Sequence, residues 1–436
     1  MKNFGLKFIL ALCMVILPVA YISSEVCGEV RYYATQDGAG EKDGSSWENA
    51  AADLKGLMDR LDGEADIWVA SGTYSPGVES DDSFVLKKGL KLYGGFTGTE
   101  ATVDERDVKT NVTVLSGGKV SRRVAVVTAV NSSSSDDTCL DGFTVSGGFN
   151  LFSGGGIYLD IGGHMLINQC MFEDNISYRN GGGMYSHYSS PLTTNCVFSG
   201  NQTPNDDGGG VYSYYSSPVI ENCSFLSNTS YGPGGGMFSF AGTIKVLNSS
   251  FRGNKSSLSR GGGINSHGST LEVKGCVFSD NTGQEFGGGM HNEDTFADIS
   301  NCVFSNNKVI PGNGGGMANV GSSAKVTECK FLTNTADYYG GGLVNFESSI
   351  EISDCDFAEN KTVRFNGGGM VNWGSTMTMN NSRFSENVAQ IGGGIYNYKS
   401  SSIIENSAFS GNRAKENNDI KDDESESTLN NCVMAE

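Results

Sequence analysis

Basic residues are scarce in this chain: 30 Lys and Arg stand against 49 Asp and Glu, for a formal net charge of −19. Such a surface repels phosphate backbones and anionic lipid, which excludes nucleic acid as a partner. Long apolar runs are also missing, apart from one at the N-terminus, so no later segment is expected to insert into a membrane. The four histidines, His164, His187, His267 and His291, are too dispersed for a metal cluster, and neither a phosphate-loop context nor a Gly-Gly-x-Gly-x-Asp calcium repeat occurs. No metal or cofactor is therefore expected. Proline is rare at seven residues whereas glycine reaches 61, a contrast that points to tight turns between short strands. Apolar spacings of three and four, which a helical-repeat solenoid needs, are lacking beyond the N-terminal section.

The N-terminal exception pairs Lys2 and Lys7 with an apolar stretch from Phe8 to Ile22, the pattern of a secretory signal peptide. Cleavage fits after Ser24 or after Gly28, so residues 1–28 are assigned to the leader and the mature protein is expected to be exported. Lipidation of Cys27 would want a small residue before it, and Val26 is a poor one.

What the sequence has in abundance is one phrase. Three glycines and an apolar residue recur from Gly154, Gly181, Gly208, Gly234, Gly261, Gly287, Gly314, Gly340, Gly367 and Gly392, in steps of 25 to 27 residues. Phe-x-x-Asn keeps the same step, from Phe172 and Asn175 to Phe409 and Asn412. A period of this size marks a solenoid whose repeats bury their apolar faces on one another. In the coil that starts at Gly287, Met290 and Asn292 share one strand face and Ile299 lies on a second strand. Cys302 and Phe304 share a face on a third. The two-residue phase breaks between Ile299 and Cys302, which requires a corner. Three short strands and three corners make one turn, and the fold expected is all-β: a single-stranded, right-handed parallel β-helix with a short N-terminal capping helix.

Residues 29–138 form the capped, irregular section and residues 139–436 the regular repeats. Ala50, Leu54, Leu57, Met58 and Leu61 share one helical face, with a capping box in Ser45 and Glu48 and a stop at Gly63. Three columns run through the coils: the invariant Phe, a Cys/Ser column two residues before it, and a Ser/Asn column from Ser186 to Asn397. Inward Ser and Asn can pair along the axis, and the cysteines read as buried thiols rather than disulfides because serine interrupts them at Ser249, Ser382 and Ser407. The sequons at Asn111, Asn175, Asn201, Asn228, Asn254 and Asn360 are read as chance products of an Asn/Ser-rich repeat. In the last coil Asn418-Asp419-Ile420 replaces the glycine phrase, and the acidic run Asp422, Asp423, Glu424 and Glu426 either shields that edge or meets another chain.

The paired phrases resemble the repeats of chlamydial polymorphic outer membrane proteins, whose Gly-Gly-Ala-Ile and Phe-x-x-Asn signatures build right-handed parallel β-helices. Ahead of them, Asp43-Gly-Ser-Ser-Trp47, Ile67-Trp-Val-Ala-Ser-Gly-Thr-Tyr74, Leu92-Tyr-Gly-Gly-Phe96 with Gly98-Thr-Glu100, Thr113-Val-Leu-Ser-Gly117 and Leu140-Asp-Gly-Phe-Thr-Val145 are similar to the opening of secreted bacterial proteins with pectate-lyase-like β-helices. Together these resemblances imply a bacterial surface or secreted protein, with adhesion as the usual role.

The candidate site is an outward aromatic strip on either side of the Ser/Asn column. Tyr185, His187, Tyr212, Tyr214, Phe238, Phe240, Trp373, Tyr396 and Tyr398 are assigned to ligand binding, with His267, His291 and Phe346 in the same two columns. Coils ~4.8 Å apart set these rings in rows that can stack on sugar rings or pack on a partner, and the same rings can equally serve to stabilise the sheet. The strip lapses at Ala318 and Val320. No catalytic set converges: Asp81-Asp82, Asp136-Asp137 and Asp206-Asp207 read as solvated turn residues, while Asp160, Glu293 and Asp294 on the aromatic face are coils apart. The reading is a non-catalytic, adhesin-like protein, secreted or on the cell surface, that binds an extracellular glycan or a host or neighbouring-cell surface protein. A polysaccharide lyase or glycoside hydrolase of pectate-lyase-like fold is the alternative. An envelope scaffold that self-associates through its C-terminal edge is a third reading.

Overall fold

The computed structural model describes residues 30–119, 121–122, 125–129, 138–162 and 164–435. The expected leader and Asp136-Asp137 lie outside the described residues. The chain is a single-stranded, right-handed parallel β-helix. Its strands stack into sheets of 15, 14, 13 and 10 members. The coil at Gly287 contributes Met290–Glu293 to the 13-stranded sheet, Phe296–Ser300 to the 15-stranded one and Val303–Ser305 to the 14-stranded one. The two-residue strand Lys308–Val309 belongs to a fourth sheet that the sequence reading lacks. Two residues are too few for an alternation of apolar and polar positions to register.

Register is held column by column: Met290 lies beside Met317, and Phe304 beside Phe331. The phenylalanines form one internal stack from Phe172 to Phe409, with neighbouring ring centroids 4.4 to 5.1 Å apart. A one-residue slip would turn each ring out of the core, so the stack fixes the register as well as the burial.

Beside the rings runs a second column whose role the sequence reading missed. Asn175, Asn201, Asn228, Asn254, Asn281, Asn307, Asn334, Asn360, Asn387 and Asn412 are all buried. Each of the first nine donates from Nδ2 to Oδ1 of the next at 2.9 to 3.1 Å. The row closes where Asn412 donates to the Asp419 carboxylate at 2.9 Å. The sequons at Asn175, Asn201, Asn228, Asn254 and Asn360 are thus sealed in the interior. The expected Ser/Asn column forms a matching row, Asn292 to Asn319, Asn345, Asn372 and Asn397, at 2.8 to 2.9 Å, and it ends on Asp422.

The three glycines do different jobs. Only the first bends the chain: from Gly154 to Gly392 its φ is +61° to +75°, a region costly for side chains with a Cβ. The second and third are small because coils touch there. A Cβ on Gly288 would stand 2.4 Å from the Gly315 carbonyl oxygen, and one on Gly289 would stand 2.6 Å from that of Gly316.

The capping helix is shorter than expected. It spans Leu54–Arg60 and starts at Asp53, whose carboxylate accepts the Gly56 N–H. Ser45 and Glu48 form no cap on it, because a 3-10 turn at Trp47–Asn49 intervenes. Leu54, Leu57 and Met58 still close the first end of the core, as the shared face implies. The N-terminal motifs converge on one cluster: Trp68 stacks on Phe96 at 4.6 Å, Trp47 packs against both, and Trp47 Nε1 donates to the Glu100 carbonyl. All nine described cysteines are free, and eight are buried. Among the described residues no helix is long and apolar enough to cross a membrane.

Candidate functional site

Each regular strand of the 13-stranded sheet turns its first and third residues inward, into the apolar core and the Ser/Asn column. The second and fourth residues face outward, as in Val211, Tyr212, Ser213 and Tyr214. The segment just before each glycine triplet rises beside this sheet as a wall. Sheet and wall together make a groove along the shaft.

The second residues of successive strands form its floor. Tyr158, Tyr185, Tyr212 and Phe238 follow one another at 5.2, 5.4 and 5.0 Å between centroids. Two clefts open on this ladder. One, of about 360 Å³, includes Thr128, Phe152, Tyr158, Arg179 and Tyr185. The other, of about 400 Å³, includes Asp207, Tyr212, Tyr214, Phe238, Phe240, Arg260, Asn265, His267, Glu285 and Glu293.

The solvent-facing reading needs correction at three residues. Tyr212 and Phe238 are only 7% exposed and Tyr396 6%, and His291 in the same column is wholly buried. Pointing away from a sheet is not the same as meeting water when a wall folds over the sheet. Beyond His291 the wall drops into the groove. Ala318, Val344, Val371 and Tyr396 form a second apolar cluster, against which Phe286, Tyr339 and Ile391 pack from the wall side. The aromatic strip is therefore two patches. The first holds Tyr185, His187, Tyr212, Tyr214, Phe238 and Phe240; the second holds Trp373, Tyr396 and Tyr398, with Trp373 and Tyr398 at 4.3 Å.

The fourth residues stay half-exposed. His187, Tyr214, Phe240 and His267 stack in order at 5.6, 5.5 and 5.3 Å. Next to them Tyr188 and Tyr215, 48% and 44% exposed, lie parallel at 5.2 Å. Sequence reasoning passed over this pair, although both stand seven residues after the first glycine of their coil.

Charge is concentrated around the second cleft. Arg260 is held by Glu285 at 3.1 Å and Glu293 at 2.7 Å, and Glu293 also meets His267 Nδ1 at 3.3 Å. Burial works against ionisation of Glu293, yet Arg260 keeps its carboxyl below the usual range. Asp207 is the opposite case: burial, then the Asp206 charge, push its carboxyl up to about 7. Asp207 lies part-buried at a bend, and among the described residues its carboxylate makes no hydrogen bond or ion pair. Asn265 donates to Nδ1 of His291, while burial pushes that imidazole down to about 3 and leaves Nε2 without a partner. Asp160 pairs with His187 at 2.8 Å, separate from Glu293. Asp294 serves as a turn residue at φ +48°. Among the described residues no group of His, Cys, Asp or Glu could hold a metal ion.

Asp207, Pro233, Arg260, Phe286, Tyr339 and Ile391 share one address, the position immediately before the glycines. This column changes chemistry from coil to coil, and it stands beside the phrase that varies least. That contrast was the signal available in the sequence.

Residues 128–296, which contain the second cleft and all of the first but Ala125, match the family model described as a right handed beta helix region. No curated protein matches the sequence. Among solved structures the chain is similar to the pectate lyase Pel9A, at 13% identity and a TM-score of 0.36, over 87% of this chain and 78% of that one. It is also similar to a family 28 exopolygalacturonase of Yersinia enterocolitica, at 10% identity and a TM-score of 0.25, over 92% of this chain and 78% of that one.

Proposed function

We propose that this protein is exported or displayed on the cell surface and holds a glycan lengthwise in the groove, as a binding protein and not a catalyst. The observation that carries the reading is where the clefts lie. Within the ladder each ring is covered by its neighbours. At its ends the next side chain is smaller: Thr128 stands beside Tyr158 in register, and Asn265 beside Phe238. A cleft opens at each of these two points, lined by Tyr158 at one and by Phe238 at the other. Aromatic faces are suited to the apolar faces of sugar rings, and Arg179, Asp207 and the Tyr hydroxyls supply polar contacts. Three coil steps of ~4.8 Å separate Tyr158 from Phe238, on the order of 14 Å, a span for an oligosaccharide rather than a single sugar.

The test is titration against a glycan array with Tyr158→Ala/Phe238→Ala beside Trp373→Ala. Loss of binding in the first variant alone, with both melting as folded proteins, is expected; loss in Trp373→Ala alone would move the site to the second patch and overturn the reading.

The second reading, a glycoside hydrolase, is favoured by one observation. A carboxyl that keeps its proton to about pH 7, as Asp207 does, meets the first demand on a general acid. Release of reducing ends from a bound oligosaccharide, abolished by Asp207→Asn, would establish it.

A further inference from the structure

The second cleft has an unbalanced set of charges. Its guanidinium, Arg260, is already engaged by both Glu285 and Glu293. Asp207 remains without a cationic partner, and Asp206 beside it adds negative charge. Aromatic side chains flank this carboxylate: Tyr212 and Phe238 on the floor, Tyr214 and Phe240 in the outer column. Resting on the glycan-binding reading, we infer that the cleft selects an amino sugar with a free ammonium group, which pairs with Asp207 against the rings of Tyr212 and Phe238.

The chemistry follows from two general preferences. An ammonium gains from a carboxylate through a charge-assisted hydrogen bond, and from ring faces through their negative quadrupole. Arg260 gives Nε to Glu285 and Nη1 to Glu293, so its charge is already matched by two carboxylates. A uronic acid or sulfated sugar would meet Asp207, Glu285 and Glu293 with like charge, and the net charge of −19 would slow its approach. A neutral sugar would give Asp207 hydroxyl hydrogen bonds without the charge assistance of an ammonium.

The experiment is calorimetric titration of the full chain with oligomers of equal length: glucosamine, N-acetylglucosamine, galacturonic acid and, as a charge control, lysine. Tightest binding of the glucosamine oligomer is expected, with about tenfold loss in Asp207→Asn and little change for the acetylated oligomer. Because Asp207→Asn removes an uncompensated charge, it is expected to fold, and a thermal melt checks this. Equal binding of the acetylated oligomer, or tighter binding of the galacturonate, overturns the selectivity and leaves glycan binding standing. Lysine oligomer binding as well as glucosamine overturns it too, since charge alone would then suffice. No binding of any sugar fells both readings.

Discussion

Asn281 gives its side-chain N–H to the Oδ1 of Asn307 at 2.9 Å, and the same oxygen accepts the Asn281 backbone N–H at 3.1 Å. Asn281 Nδ2 also donates to the Phe251 carbonyl at 2.8 Å, so one carboxamide joins three successive coils. Asn281→Leu removes the acceptor for Asn254 and the donor for Phe251 at a fully buried position. A loss of about 3–5 kcal/mol is expected in urea unfolding, against less than about 0.5 kcal/mol for the surface change Ser305→Ala.

At the glycine corner, Gly288→Ala meets backbone on two sides, the Gly315 oxygen at 2.4 Å and the Lys308 nitrogen at 2.6 Å. Neither can move without parting the coils. Gly268→Ala has open space around its Cβ and costs only its left-handed backbone, φ +58°, about 1 kcal/mol. Denaturation midpoints should place Gly288→Ala several times further from the parent than Gly268→Ala.

The shaft was legible because its columns repeat: Phe304, Asn292 and Gly287 each recur at one offset, and recurrence in a solenoid is stacking. The groove was not, because a wall is made of whatever differs from coil to coil. Asp207 and Phe286 occupy the same address, yet one leaves a cleft open and the other helps to fill the groove. Alternation told inward from outward correctly at Tyr212 and Tyr396, but it carries no information about a loop that returns to cover them. The helix start shifted for a local reason. Asp53, five residues after Glu48 and eight after Ser45, offers the carboxylate that the Gly56 N–H takes.

Asp207 should leave a mark on stability as a function of pH. Its folded carboxyl lies at about 7 against an ordinary 3.8, in the presence of Asp206, Tyr212, Tyr214, Arg260, His267, Glu285 and Glu293. The folded state therefore keeps a proton that the unfolded chain has released. Stability from this group is fully present below about pH 4 and is lost as pH rises through about 7. Asp207→Asn cannot ionise, so near pH 8 it should be more stable than the parent by up to about 4 kcal/mol, with the gain gone near pH 4. Melts of the two proteins across that range give the comparison.

Thiol chemistry should single out one end of the shaft. Cys432 is half-buried, whereas the other eight described cysteines are buried and Cys139 has its thiol pushed up by burial and by Asp141. A thiol reagent followed by peptide mass mapping should modify Cys432 first and reach the Cys170 to Cys355 column only after denaturant is added. Rapid labelling within the column of the native protein would contradict the packed core.

The two asparagine rows give the shaft an electrical direction. In both, every amide points its N–H end toward the next coil, so the side-chain dipoles add, as peptide dipoles do in a helix, and positive ends gather at the coil that begins with Asp419. Asp419 and Asp422 accept the last N–H of each row, placing negative charge where the summed dipole needs it. Coils added or removed between Asn201 and Asn387 would leave that termination intact, so the length of this shaft is free to vary while its polarity and its acidic end are not.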